Sequence, residues 1–221
     1  MRRRRFLMGS SMLAAAGFAP SLALACRFFP ADVTDRYVAW QAQRAVGRQV
    51  ITFTREPGRF LVDVRTGMRF TVPGIGETSY EHESRETWNT GWLHALDSRT
   101  LIDGRVQEVH AERRGASLMV EGTDIRSFQV SSYVVPSSLW HRDSRLVEAF
   151  IDVERGNILS VRPRYLGKET LEQGGGVVEA HRYALRGQID REAWYDSDCV
   201  LVRWDLPVAG GDWISFRRET A

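Results

Sequence analysis

The side chains most suited to chemistry lie in one short stretch, residues 80–94, where polar, aromatic and titratable residues alternate. Neighbouring residues of a β-strand point to opposite faces, so one face of an uninterrupted strand would carry six candidate residues. These are Tyr80, His82, Glu86, Trp88, Trp92 and His94. Aromatic rings beside titratable groups are typical of ligand pockets, so we predict that this face lines the concave side of a sheet and binds a ligand. A bulge at Gly91 would instead move Trp92 and His94 to the opposite face.

The same stretch does not predict catalysis. His82 and Glu86 are four residues apart, which separates their Cα atoms by roughly 13 Å along a strand. The alternative to ligand binding is structural, with the tryptophans in the core.

Residues 137–143 contain the Ser, His and Asp types of a hydrolase triad. No nucleophile elbow surrounds the serines, so this stretch predicts a loop with Trp140 as a plug, and we assign no catalytic residue.

Metal and cofactor sites have no support in the sequence. The five histidines, at positions 82, 94, 110, 141 and 181, show none of the close spacings of metal-binding motifs. Three consecutive glycines at 174–176 are not followed by a Lys-Ser or Lys-Thr pair, so they predict a turn rather than a phosphate-binding loop. We therefore expect no metal and no cofactor.

The amino terminus predicts export. Arg3 and Arg4, followed by Phe6 and Leu7, match the order of a twin-arginine signal. The small, mildly apolar residues that come next are too few for a membrane-spanning helix, which needs roughly 18. We expect residues 1–25 to be a twin-arginine signal peptide that engages the twin-arginine translocase. The protein is then periplasmic and has no transmembrane anchor.

Two processing routes compete at the end of this segment. Ala23 and Ala25 form an A-x-A site, so a signal peptidase would cut before Cys26. The alternative is a lipoprotein anchored through Cys26, but Ala23 and Leu24 stand in the wrong order for a lipobox, which favours simple cleavage. The other cysteine is Cys199. An oxidising compartment permits a Cys26–Cys199 disulfide, while unpaired thiols or a lipidated Cys26 stay open.

The charge balance excludes one class of partner. Residues 1–25 hold four arginines and no acidic residue, so residues 26–221 carry 26 basic and 28 acidic side chains. A slightly acidic chain without a clustered basic face is not typical of nucleic-acid binding.

The rest of the chain predicts a mainly β fold. Short alternating segments are separated by turn signals, among them Pro57-Gly58, Pro73-Gly74 and Asp103-Gly104. Roughly ten strands with few short helices predict a single antiparallel curved sheet, a half-barrel or β-clam, since no βαβ rhythm appears. We expect residues 26–221 to form one β-rich domain.

This pattern resembles a bacterial exported family known as domain of unknown function 6134. The resemblance rests on Tyr80, His82, Glu86, Trp88, Gly91, Leu93, Leu96, Ser98, Thr100 and Asp103-Gly104, and later on Pro136, Trp140, Gly156, Gly167, Glu169 and Trp194-Tyr195-Asp196. It implies export and a β-rich domain, and it brings no known activity. The order of strands also resembles periplasmic half-barrels that carry lipid or lipoprotein, which is an analogy of fold alone.

Three functions follow as hypotheses. The first is a non-enzymatic periplasmic carrier of a hydrophobic or amphipathic small molecule or lipid. The second is an envelope hydrolase for a glycan or ester, which needs Glu86, His82 and His94 to converge in one cleft. The third is a structural or assembly partner without a small ligand.

Replacing Arg3 and Arg4 by lysines tests the export signal. We expect the precursor to remain in the cytoplasm, because the translocase recognises the adjacent arginines. Cell fractionation and immunoblotting give the measurement, with the unaltered chain as control. Normal periplasmic delivery of the Lys-Lys variant would identify a general secretory signal instead.

Overall fold

The computed structural model describes residues 32–219, which form strands almost throughout. A single short 3-10 helix, Arg142–Arg145, interrupts the described strands. The strands are β1 Val33–Gln41, β2 Arg44–Glu56, β3 Arg59–Val72, β4 Gly76–Asn89, β5 Trp92–Ile102, β6 Arg105–Arg114, β7 Ser117–Gly122, β8 Ile125–Val130, β9 Val135–Pro136, β10 Ala149–Ile151, β11 Ile158–Gln173, β12 Gly176–Gly187, β13 Asp190–Tyr195, β14 Leu201–Pro207 and β15 Trp213–Arg218.

All the described strands belong to one sheet. Its order is β8-β7-β6-β5-β4-β3-β2-β1-β15-β14-β13-β12-β11-β10-β9. Every neighbouring pair is antiparallel except β9 and β10, which run parallel. The two halves of the chain join at the centre, where Tyr37 of β1 pairs with Arg218 of β15. The predicted antiparallel curved sheet is confirmed, but it has 15 strands rather than about ten.

The strand count was wrong partly because hairpins are tighter than expected. The alternation of residues 80–94 predicts one strand, yet these residues belong to β4 and β5, which turn at Thr90 and Gly91. Both residues have positive φ, 46° and 84°, as a two-residue hairpin loop of the primed type requires. Threonine rarely takes this conformation, so the sequence carries no clear signal for the turn. The hairpin at Asp103-Gly104 is where it was predicted, because Ile102 pairs with Arg105.

The sheet curves around a buried core. Alternate residues of β2 and β3 point to its concave side, including Ile51, Phe60, Val62 and Val64, each at most 4% exposed. The connection from β8 to β11 lies on the concave side as well, where Ser98 of β5 donates a hydrogen bond to the carbonyl oxygen of Val153. This connection, residues 131–157, is called the plug below.

Several expectations concern residues that the structure does not describe. Arg3, Arg4, Phe6, Leu7, Ala23, Ala25 and Cys26 lie outside residues 32–219. Cys199 is disulfide-bonded, and the chain has two cysteines. Pairing with Cys26 stays a prediction. Within the described residues, no helix has the length and hydrophobicity needed to cross a bilayer.

Two glycines of the β11–β12 hairpin allow a test of packing against the sheet. Gly187 and Gly167 have φ of 143° and 127°, but a Cβ at Gly187 would lie 2.5 Å from the backbone oxygen of Ser160, while one at Gly167 meets nothing within 4 Å. We expect Gly167→Ala to lower the free energy of unfolding by about 1–3 kcal/mol through backbone strain. Gly187→Ala should lose at least a further ~1 kcal/mol, because backbone atoms must shift. Urea unfolding measures both, and equal losses would contradict the contact at Ser160.

Candidate functional site

Strand β4 contributes side chains to the concave side of the sheet, as its alternation predicts. His82, Glu86 and Trp88 point to the concave side and are 3%, 0% and 0% exposed, and Tyr80 is partly buried on the same face. Four of the six candidate residues therefore share the predicted face. Whether they bind a ligand stays a prediction.

Trp92 and His94 do not share that face. Leu93 of β5 is buried, whereas Trp92 is 42% exposed and His94 is exposed. The register shifts between Thr87 and Trp88, so that His94 is the extra residue of a bulge without a partner on β4. The turn at Thr90 and Gly91 inverts the alternation, and the bulge at His94 restores it from Leu96 onward, which corrects the prediction for Trp92 and His94. The alternative of an interruption at Gly91 holds for these two residues, although the interruption is a hairpin turn rather than a bulge. Trp92 instead packs against the guanidinium of Arg113, 5.0 Å from the ring centre.

Glu86 is the buried carboxyl group of the site. Its Oε2 accepts hydrogen bonds from the indole nitrogens of Trp88 and Trp140, both at 2.9 Å, and its Oε1 accepts one from Ser138 at 2.8 Å. Burial raises the pKa of Glu86 to about 7, and the three donors partly offset that rise. Because Ser138 and Trp140 belong to the plug, Glu86 attaches the plug to β4.

Trp140 fills the adjacent end of the concave face, as predicted for a plug residue. Its ring lies 5.3 Å from Phe53 and 5.5 Å from Trp88, both in edge-to-face geometry. His141 stacks flat on Trp88, with ring centres 4.5 Å apart. Burial lowers the pKa of His141 to about 4. This end of the curved sheet is therefore core.

The other end of the concave face encloses a cavity of about 480 Å³. Strands β2 to β5, the plug, the β12–β13 turn and strands β14 and β15 all contribute to its wall. The apolar lining consists of Val64, Met68, Phe70, Ile102, Val153, Leu159, Ile189, Leu206 and Phe216. Gln188 and Asp190 of the lining are exposed, so the cavity meets solvent near the β12–β13 turn.

A row of polar residues crosses the sheet at the floor of this cavity, and Gln49, Thr66 and His82 line it. Gln49, Thr66, His82 and Thr100 are direct cross-strand neighbours on β2 to β5. Gln49 Nε2 donates to Thr66 Oγ1 at 3.1 Å, and a 2.8 Å hydrogen bond joins His82 Nδ1 to Thr100 Oγ1. Trp204 of β14 extends the row by donating to Gln49 Oε1 at 3.2 Å. We call these five residues the polar row.

The sequence predicted only His82 of the polar row. Gln49, Thr66 and Thr100 were missed, because nothing local distinguishes them from other alternating strand residues. Their common feature is register, which becomes visible only when the strands are paired.

Charged residues lie beside the polar row. The Tyr80 hydroxyl donates a hydrogen bond to Glu154 Oε1 at 2.9 Å, and burial raises the pKa of Tyr80 well above its usual value. Asp152 also lines the cavity, and burial raises its pKa. Burial lowers the pKa of Arg191, and the nearby carboxylates of Glu154 and Asp152 partly offset that shift.

The residues of the hydrolase hypothesis do not converge. His82 lines the cavity, Glu86 is buried under Trp140, and His94 lies on the convex side. Among residues 32–219, no three His, Cys, Asp or Glu side chains are grouped to hold a metal ion.

Comparisons with known proteins identify a family and a fold. A sequence model described as "Domain of unknown function (DUF6134)" matches residues 37–219. The fold is similar to the crystal structure of a beta-barrel-like protein of domain of unknown function DUF1849 from Brucella abortus, with a TM-score of 0.59 and 9% identity over 84% of this chain and 94% of that one. At that identity the likeness concerns the fold alone. No curated protein matches the sequence.

Replacing Glu86 by Gln tests the buried carboxyl group. A folded pKa raised to about 7 means that the native state binds a proton which the unfolded state releases, so this carboxyl destabilises the fold as pH rises from about 4.5 to 7. We expect the stability difference between Glu86→Gln and the unaltered protein to grow over that range, in favour of the variant, by on the order of 3 kcal/mol. Subtracting the two curves removes the opposite effect of His82 and His141, whose lowered pKa values stabilise the fold as pH rises.

Urea unfolding at several pH values gives the measurement. Glu77→Gln is the matched control, since Glu77 is exposed on the same strand and lies beside the buried Thr78, so that it faces the convex side. Its difference from the unaltered protein should stay flat. A flat difference for Glu86→Gln as well would contradict the raised pKa.

Proposed function

We propose that this chain, which belongs to the DUF6134 family, is a non-enzymatic binding protein or carrier for a hydrophobic or amphipathic small molecule. The observation that carries the proposal is the cavity of about 480 Å³ on the concave face of the sheet. Ligand pockets in proteins span roughly 300–1,000 Å³ and are mostly apolar, with a few placed polar groups.

The composition of the wall supports this class of ligand. Aliphatic and aromatic side chains from both halves of the sheet face the cavity, among them Val64, Phe70, Leu159 and Phe216. Polar groups lie in the polar row, around Tyr80 and at the opening, where Asn157, Gln188 and Asp190 line the cavity. A wall with both apolar and polar parts matches a molecule that has both a hydrocarbon part and a polar group.

The proposed place of action is the periplasm. The twin-arginine pattern at Arg3 and Arg4 motivates it, with the translocase as the partner during export. Native mass spectrometry of gently purified protein, followed by organic extraction, would reveal a bound molecule. A carrier should retain one, and a mass equal to that of the polypeptide alone at every purification step would speak against the proposal.

A charge placed in the cavity wall should weaken ligand binding. Met68 of β3 lines the cavity and packs against the core. We expect Met68→Glu to weaken binding of the uncharged dye N-phenyl-1-naphthylamine by about tenfold or more, because a carboxylate disfavours an apolar ligand beside it. Fluorescence titration measures the dissociation constant.

Met119→Glu is the matched control for this experiment. Met119 lies on β7 between the buried residues Leu118 and Val120, so it faces the convex side. The same substitution there should leave dye binding unchanged. If the unaltered protein does not bind the dye, or if both variants lose the same amount of dye affinity, the cavity is not the binding site.

A further inference from the structure

The polar row contains one buried atom whose hydrogen bond is missing. His82 is 3% exposed, and its Nδ1 is paired with Thr100, but its Nε2 has no hydrogen-bond partner within the described residues. Leaving a buried polar atom unpaired costs about 1–3 kcal/mol. Such atoms are uncommon in folded proteins and call for an explanation. Because His82 lines the cavity, a bound molecule can supply the missing partner.

Thr66 offers a second polar group at the same place. It is the direct cross-strand neighbour of His82, it is 7% exposed, and it also lines the cavity. Its oxygen accepts the hydrogen bond from Gln49 Nε2. A hydroxyl both accepts and donates, so the proton of Thr66 is left to donate to a ligand.

The charges around the cavity disfavour an anionic polar group. Three carboxylate side chains line it, Asp152, Glu154 and Asp190, against two guanidinium groups, Arg155 and Arg191. Burial lowers the pKa of His82 to about 4, so its imidazole is neutral at neutral pH and adds no positive charge. A buried anion without a paired cation is strongly disfavoured, whereas a neutral hydroxyl needs only hydrogen bonds.

The polar pair lies deep in the cavity. Thr66 and His82 are 7% and 3% exposed, whereas lining residues at the opening, among them Gln188 and Asp190, are exposed. The apolar lining extends over both depths, from the buried Val64 to the partly buried Met68 and Leu206. A polar group that pairs with His82 and Thr66 therefore lies away from the opening.

We propose that the cavity binds an uncharged amphiphile with its polar end inward, its hydroxyl group hydrogen-bonded to His82 Nε2 and Thr66 Oγ1. The hydrocarbon chain then extends past Met68 and Leu206 toward the opening. This inference rests on the proposed function and adds the class and the orientation of the ligand.

Three ligands with the same dodecyl chain test the head group. Dodecanol can donate and accept a hydrogen bond, dodecyl methyl ether can only accept, and dodecanoate is charged. Competition against N-phenyl-1-naphthylamine gives their affinities. We expect the unaltered protein to bind dodecanol at least about tenfold more tightly than the ether or dodecanoate, since either of these leaves a buried group poorly paired.

Single substitutions test which side chains produce the preference for dodecanol over the ether. His82→Leu should still bind the dye but should bind dodecanol and the ether about equally, whereas His94→Leu, on the convex side, should keep the full preference. Thr66→Val should reduce the preference for dodecanol as well. If His82→Leu does not fold, Thr66→Val tests the hydrogen bond to the hydroxyl group in its place.

The possible failures are distinguishable. Absence of dye binding by the unaltered protein would refute the proposed function and this inference together. Dye binding without a preference for dodecanol would refute the inward hydroxyl alone, as would a preference that survives in His82→Leu or Thr66→Val. Tighter binding of dodecanoate would refute the uncharged head group.

Discussion

The attachment of the plug to the sheet through Glu86 is the interaction on which the concave face depends. One carboxyl group accepts hydrogen bonds from Trp88 of its own strand and from Ser138 and Trp140 of the plug. Burying a carboxyl group is unfavourable unless it is well paired, and these donors supply the pairing. Trp140 thereby reaches Phe53 and Phe60, so one end of the curved sheet becomes a packed core.

The open end of the sheet follows from the same attachment. The plug continues from Trp140 to Val153 and Glu154, which reach Ser98 and Tyr80 on the opposite wall. These contacts bound the cavity on one side, while the sheet bounds it on the other. Strand β4 therefore contributes to both regions, because Trp88 packs in the core while His82 and Tyr80 line the cavity.

Within the cavity, the hydrogen bonds of the polar row follow the register of the sheet. Gln49, Thr66, His82 and Thr100 come from four successive strands and are aligned because each hairpin fixes its pairing. A row of this kind keeps its side chains in place through neighbours on both sides. It leaves His82 Nε2 without a hydrogen-bond partner among the described residues, at a position that lines the cavity.

Local patterns in the sequence were sufficient for the class of fold and for part of the site. Alternation along β4 placed Tyr80, His82, Glu86 and Trp88 on one face, and Asp103-Gly104 marked the β5–β6 hairpin, because both features depend on neighbouring residues only. The twin-arginine pattern is equally local, and the export that it indicates stays a prediction. Only the tertiary structure decided where Trp92 and His94 lie, since the turn at Thr90 and Gly91 inverts the alternation and the bulge at His94 then restores it. It also decided which donors reach Glu86 and which residues join His82, because those partners lie 52 and 54 or 16 and 18 positions away and meet only when strand register and the plug are set.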